Sequence, residues 1–148
     1  MINVYTIGFT KKSAEKFFEL LKIHGVKKII DTRLKNETQL SGFAKGKDLK
    51  YFAKIILNID YIHRLDMAPT QDILENYRNK IITWEKYSVE YLNLLNERDL
   101  GKKINPEELN DSCLLCSEEK PDNCHRRLLA EYIKEYFHNT NINIEHII

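Results

Sequence analysis

Two rhythms alternate along this chain, one of period two and one of about 3.6, and the switches between them mark the predicted elements. Asn3 to Phe9 (NVYTIGF) is a β-branched and aromatic run containing a glycine, which predicts a buried strand entering a turn. Ala14, Phe17, Phe18 and Leu21 then recur at helical spacing, with Ser13 placed to cap the helix and Gly25 to end it. Val26 to Asp31 (VKKIID) predicts a second strand. Asn36 to Lys47 is polar with two glycines and predicts a mobile loop of about a dozen residues, longer than most connections. Asp48 caps a helix with an apolar stripe of Leu49, Phe52, Ala53 and Ile56, and Ile59 to Leu65 makes a third strand.

Pro69 and Thr70 open a short helix through Arg78, and Thr83 caps another on which Trp84, Tyr87, Tyr91, Leu94 and Leu95 share a face. The polar connection from Gly101 to Asn110 holds one helical turn at Pro106 to Leu109. Ser112 to Glu118 (SCLLCSE) predicts a fourth strand. Pro121, Asp122 and Asn123 lead into the last helix, with Leu129, Tyr132, Ile133 and Tyr136 as its stripe, and INIEHII closes the chain as an alternating fifth strand. Strands alternating with helices predict a three-layer α/β sandwich: a mostly parallel five-stranded sheet with helices on both faces. Ligands of such sheets bind beyond the carboxyl ends of the strands.

At 148 residues the chain predicts a single domain over residues 1–148, large enough to bury about 70% of its unfolded surface. Lys plus Arg is 23 and Asp plus Glu 22, a formal charge of +1, which argues against a nucleic-acid coat or a membrane anchor. The 43% hydrophobic and 30% charged content excludes a disordered or membrane-spanning class. Three cysteines are too few and odd for a secreted disulfide scaffold, and MINVYTIGF is not a signal peptide, so reduced thiols and a cytoplasmic location are expected. The charge balance conceals a placement: Arg33, Arg126 and Arg64 fall at one predicted sheet edge. That favours a compact anionic ligand, with nucleic acid as the less favoured partner and no membrane.

The residues just past the strands are Thr6 and Gly8; Asp31 and Arg33; His63, Arg64 and Asp66; and Cys116, Ser117 and Glu118. Cys124, His125 and Arg126 follow at the first turn of the last helix, where unpaired N–H groups and the helix dipole favour an anion. A thiol placed there has its thiolate favoured, so Cys124 is the expected nucleophile; its alternative is a small apolar residue packed at a helix start. Asp31 and Arg33 fit an acceptor beside an anion clamp, or else a structural ion pair. The Cys113-x-x-Cys116 spacing invites a metal or redox reading, but in a strand residues three apart face opposite ways, so Cys113 is expected in the core. Cys116 and Cys124 bracket one βα loop and are a conceivable redox pair. GxGxxG, GxxxxGK[ST], HExxH and GxSxG are all missing, and Asp122 stands where a Cys-five-residues-Arg phosphatase loop needs its arginine.

TIGF (Thr6 to Phe9), IIDTR (Ile29 to Arg33), SGFAKGKDLKYF (Ser41 to Phe52), Ala68 to Tyr91 and above all LLCSEEKPDNCHRRLLAEYI (Leu114 to Ile133) resemble the DUF488 family of small α/β proteins. Its most specific element, C-S-E followed by C-H-R, falls on Cys116, Ser117, Glu118, Cys124, His125 and Arg126. The resemblance implies the fold and a site at this edge, not a substrate.

The leading expectation is a small cytosolic enzyme acting on a phosphate- or nucleotide-like anion without a cofactor. Cys124, Asp31, Glu118 and His125 carry the chemistry in that reading; Thr6, Gly8, Arg33, Cys116, Ser117 and Arg126 bind substrate. The alternatives are a non-catalytic nucleotide or nucleic-acid binding module, and a Cys/His metal or thiol-redox site built on Cys116, Cys124 and His125.

Overall fold

The computed structural model describes residues 1–37 and 41–148 of the chain. Its sheet contains β1 (Ile2–Gly8), β2 (Lys28–Asp31), β3 (Asp60–His63), β4 (Ser112–Cys116) and β5 (Ile142–His146) in the order β3-β2-β4-β1-β5. All four pairings are parallel, so the expected mostly parallel sheet is wholly so. The helices are α1 (Ala14–Ile23), α2 (Gly46–Phe52), α3 (Gln71–Arg78), α4 (Trp84–Glu97) and α5 (His125–Tyr136). Ser13, Thr70 and Thr83 cap α1, α3 and α4, each accepting a backbone N–H of the first turn. Among the described residues no helix is long and apolar enough to cross a membrane.

The strand period sorts side chains onto two faces, which makes the structure a three-layer α/β sandwich. Val4, Ile30 and Leu114 pack under α4 and α5 with Tyr87, Tyr91, Leu95, Leu129 and Ile133. On the other face Ile7, Ile29, Cys113 and Leu115 meet Phe17 and Leu21 of α1 and Leu49 of α2. Cys113 and Cys116 therefore lie on opposite faces of β4, as the alternation requires, with Cys113 fully buried.

Four local expectations are corrected. Lys45, rather than Asp48, stands at the N-cap of α2, and Asp48 lies in its first turn. Ala53 to Leu57 forms a π turn, whose wider i→i+5 spacing rotates the following side chains off the α-helical stripe. Ile56 is accordingly 52% exposed, although its spacing from Leu49 and Ala53 predicts burial. The supposed mobile loop from Asn36 to Lys47 is partly built: Gly42–Ala44 is a 3-10 turn, Ala44 is buried, and the Gly46 N–H bonds the Asn36 carbonyl at 2.7 Å. Residues 38–40 of that stretch lie outside the described residues. In α5, Tyr136 is exposed at the end of the expected stripe, and its ring lies over Gly101, where any β-carbon would collide with it.

Candidate functional site: a buried thiol pair at the carboxyl edge

Cys116 is the last residue of β4, in register with Gly8 of β1. The loop that follows is pulled back across the sheet edge by its carbonyl groups. Both the backbone N–H and the hydroxyl of Thr10 donate to the Ser117 carbonyl. Arg126 donates from Nη1 to the Glu118 carbonyl and from Nη2 to the Glu119 carbonyl, while its Nε reaches Thr6 Oγ1 at 3.2 Å. The loop passes so close to Gly8 that a β-carbon there would strike the Glu118 carbonyl oxygen. With three successive carbonyls turned to these braces, the Ser117 and Glu118 N–H groups face the Cys116 sulfur.

The two other members of the cluster come from the start of α5. Cys124 is its N-cap residue, although its side chain makes no capping hydrogen bond. Its thiol donates to Cys116 instead. His125 is clamped from the far side: Nε2 is 2.9 Å from the Thr32 carbonyl oxygen and 3.0 Å from Thr32 Oγ1. The Thr32 hydroxyl proton is committed to the Leu115 carbonyl at 2.8 Å. Nε2 must therefore carry a ring proton, and Nδ1 faces Cys116 Sγ at 3.6 Å.

These contacts separate the two thiols. Cys116 is held below the ordinary thiol value, chiefly by the hydrogen bond from Cys124 and also by Arg126 and the two loop N–H groups, against the opposing effect of burial. Burial pushes Cys124 well above it, and donation to Cys116 adds to the rise. The helix dipole favours Cys124, whereas the hydrogen bonds gathered around Cys116 act in favour of its neighbour's thiolate.

Arg33 completes the arrangement. It is 3% exposed, and its Nε and Nη2 grip the two Asp31 oxygens at 2.8 and 2.7 Å, with Nη2 also on the Ala44 carbonyl at 2.7 Å. Tyr61 donates to the same carboxylate, so the Asp31 charge is fully engaged in holding the guanidinium. Nη1 is left buried without a partner among the described residues. Phe9 lies against the guanidinium, its ring centre 5.2 Å away.

A cavity of about 210 Å³ opens on these groups, lined by Arg33, Cys116, Ser117, Glu118, Cys124 and His125 on one side. Leu74, Tyr77 and Arg78 of α3 and Tyr87 of α4 form the other. Six of the ten site residues expected from the sequence thus line one pocket. Thr6, Gly8, Asp31 and Arg126 stand behind it as braces, and Arg126 is wholly buried. Arg64 is paired with Asp66 at 2.7 Å and does not line the pocket. Sequence reasoning passed over Thr32, although it stands between Asp31 and Arg33. It also read Tyr87 only as a helix-face residue and did not single out Tyr77. The Cys/His metal reading converges on the same spot: ligand atoms of Cys116, Cys124 and His125 lie within 4.8 Å of one another, one fewer donor than a closed structural zinc site takes.

No curated protein and no solved structure matches the chain. The family model described as "Domain of unknown function DUF488" matches residues 13–133, most of the chain and every pocket-lining residue named above. The chain belongs to the DUF488 family.

Proposed function

We propose that this protein is a small cytosolic thiol enzyme acting on a compact anionic substrate, with Cys116 as its nucleophile. The observation that carries the reading is that Cys116 and Arg33 line one cavity, with Arg33 Nη1 buried and unpartnered among the described residues. The sulfur is cradled by two backbone N–H groups and by the Cys124 thiol. Arg33 attracts an anion to the cavity, and the rigid grip of Asp31 fixes where that anion sits. His125 Nδ1 faces the sulfur as proton acceptor and then as donor to a leaving group. Cys124 stabilises the thiolate, while Arg126, Gly8 and Thr6 hold the loop in place. All three cysteines are unpaired, in keeping with a reducing compartment.

Two electrophiles of the same size test it. Iodoacetate is anionic and reacts more slowly than neutral iodoacetamide with ordinary thiols. In this protein iodoacetate is expected to label Cys116 faster than iodoacetamide, with saturation, and inorganic phosphate is expected to protect. Cys116→Ser should take no label in the pocket. Faster labelling by iodoacetamide with no protection by phosphate would remove the anionic substrate class, and labelling confined to Cys124 would remove Cys116 as nucleophile.

A further inference from the structure

The pocket contains a second thiol, Cys124, whose sulfur lies within 4.8 Å of the first, on the same wall. A nucleophile needs a hydrogen-bond donor at that position, and a hydroxyl or amide would serve. A second sulfur adds chemistry of its own. Cys116 and Cys124 are 7% and 3% exposed and both line the cavity, whereas Cys113 is fully buried on the opposite face of β4 and cannot compete.

We propose that Cys116 and Cys124 form a reversible dithiol–disulfide couple that reduces a small hydroperoxide, Cys116 taking the oxygen and Cys124 closing the disulfide. The inference rests on the reading of Cys116 as the reactive sulfur. In the first step the Cys116 thiolate attacks the terminal peroxide oxygen. A sulfur–oxygen bond forms, the oxygen–oxygen bond breaks, and the departing alkoxide or hydroxide takes from His125 Nδ1 the proton that Cys116 had given it, leaving as alcohol or water. In the second, Cys124 gives its proton to His125 Nδ1 and its sulfur attacks the Cys116 sulfenic sulfur. The sulfur–sulfur bond forms, and the hydroxyl leaves as water with that proton. The two thiols together surrender two electrons to the peroxide, and an external dithiol returns them by exchange.

The arrangement suits this sequence. Cys124 stays protonated while Cys116 is attacked, so it does not repel the incoming peroxide. It then sits against the sulfenic acid before a second peroxide can oxidise it further. A cavity of about 210 Å³ admits a small peroxide and excludes a bulky protein disulfide from direct attack.

Hydrogen peroxide added to the intact protein, followed by intact-mass and non-reducing peptide analysis, tests the couple. The wild type is expected to lose the mass of two hydrogens, to yield a peptide linked through Cys116 and Cys124, and to recover fully in dithiothreitol. Cys124→Ser should instead gain one oxygen at Cys116, trapped by dimedone, and then proceed to the two- and three-oxygen acids at least tenfold faster than wild type. Wild-type protein that accumulates those acids at Cys116 with no linked peptide would overturn the couple, as would a disulfide through Cys113. The alkylation experiment is read in parallel. Cys116 that is labelled readily by iodoacetate yet forms no disulfide sinks this inference alone, whereas Cys116 inert to both reagents sinks the thiol-enzyme reading beneath it.

Discussion

The ring of His125 is fastened through Nε2 to the carbonyl oxygen of Thr32 at 2.9 Å, and that bond decides which nitrogen faces the sulfur. A carbonyl only accepts, so the Nε2–H tautomer is set by the backbone of β2's exit, and the Thr32 hydroxyl is a second acceptor rather than the determinant. Thr32→Val is expected to cost only about 1 kcal/mol, because the Leu115 carbonyl keeps its bond from the Thr32 N–H at 3.0 Å. Nitrogen NMR of the ring should report a protonated Nε2 in both proteins. A switch of tautomer in the variant would show that the hydroxyl had been in control.

Arg126→Lys keeps the positive charge and loses the span between Thr6 and two loop carbonyls. We expect a loss of about 3 kcal/mol in urea denaturation, since bonds from a charged donor are each worth about 1.5–3 kcal/mol and their acceptors would be left buried. The Cys116 alkylation rate should fall as well, because its N–H partners are no longer held. A variant with wild-type stability would show that the loop is fixed by Thr10 alone.

Gly8→Ala tests the closest approach in the site. The new methyl group would coincide with the Glu118 carbonyl oxygen, backbone that must move to admit it. Destabilisation of about 2 kcal/mol is expected, together with slower labelling of Cys116. Thermal unfolding measures the first effect and iodoacetate kinetics the second. Unchanged values for both would mean that the loop does not rest on β1.

Stability should depend on pH in two opposed ways. Cys116 is depressed below its ordinary 9.0 in the folded protein. Between its folded value and 9.0 it is a thiolate when folded and a thiol when unfolded, so stability rises with pH through that window and is lost as pH falls through the folded value. Cys113 and Cys124 are raised by burial. They stay protonated above 9.0 while the unfolded chain ionises, so stability declines there. Urea midpoints measured across this range should rise and then fall. Cys116→Ser should abolish the rise and spare the fall, and a rise that persists in Cys116→Ser would assign it to another group.

The order of elements, the N-caps of α1, α3 and α4 and the parallel sheet were legible because they rest on short-range rules: the two side-chain periods, the capping residues and the strand–helix alternation. The opposite facing of Cys113 and Cys116 follows from the strand period alone. So does the gathering of Cys116, Cys124, His125 and Arg33 at one edge, because parallel strands bring all their exits to the same end. Where local rules met a non-local one they failed: Ile56 has the right spacing for burial, yet a π turn rotates it outward.

The partners of each side chain within the site were decided only by the tertiary structure. Which sulfur is the more favoured as thiolate depends on donors gathered from the start of α5 and the loop after β4, and on how completely each thiol is dehydrated. Arg126 and Arg33 read alike as anion clamps in the sequence. Packing gives each guanidinium nitrogen of Arg126 a partner on the loop or its brace, and leaves Nη1 of Arg33 buried without one among the described residues. Sequence fixes the donors a residue carries; only the folded neighbourhood determines which of them are already taken.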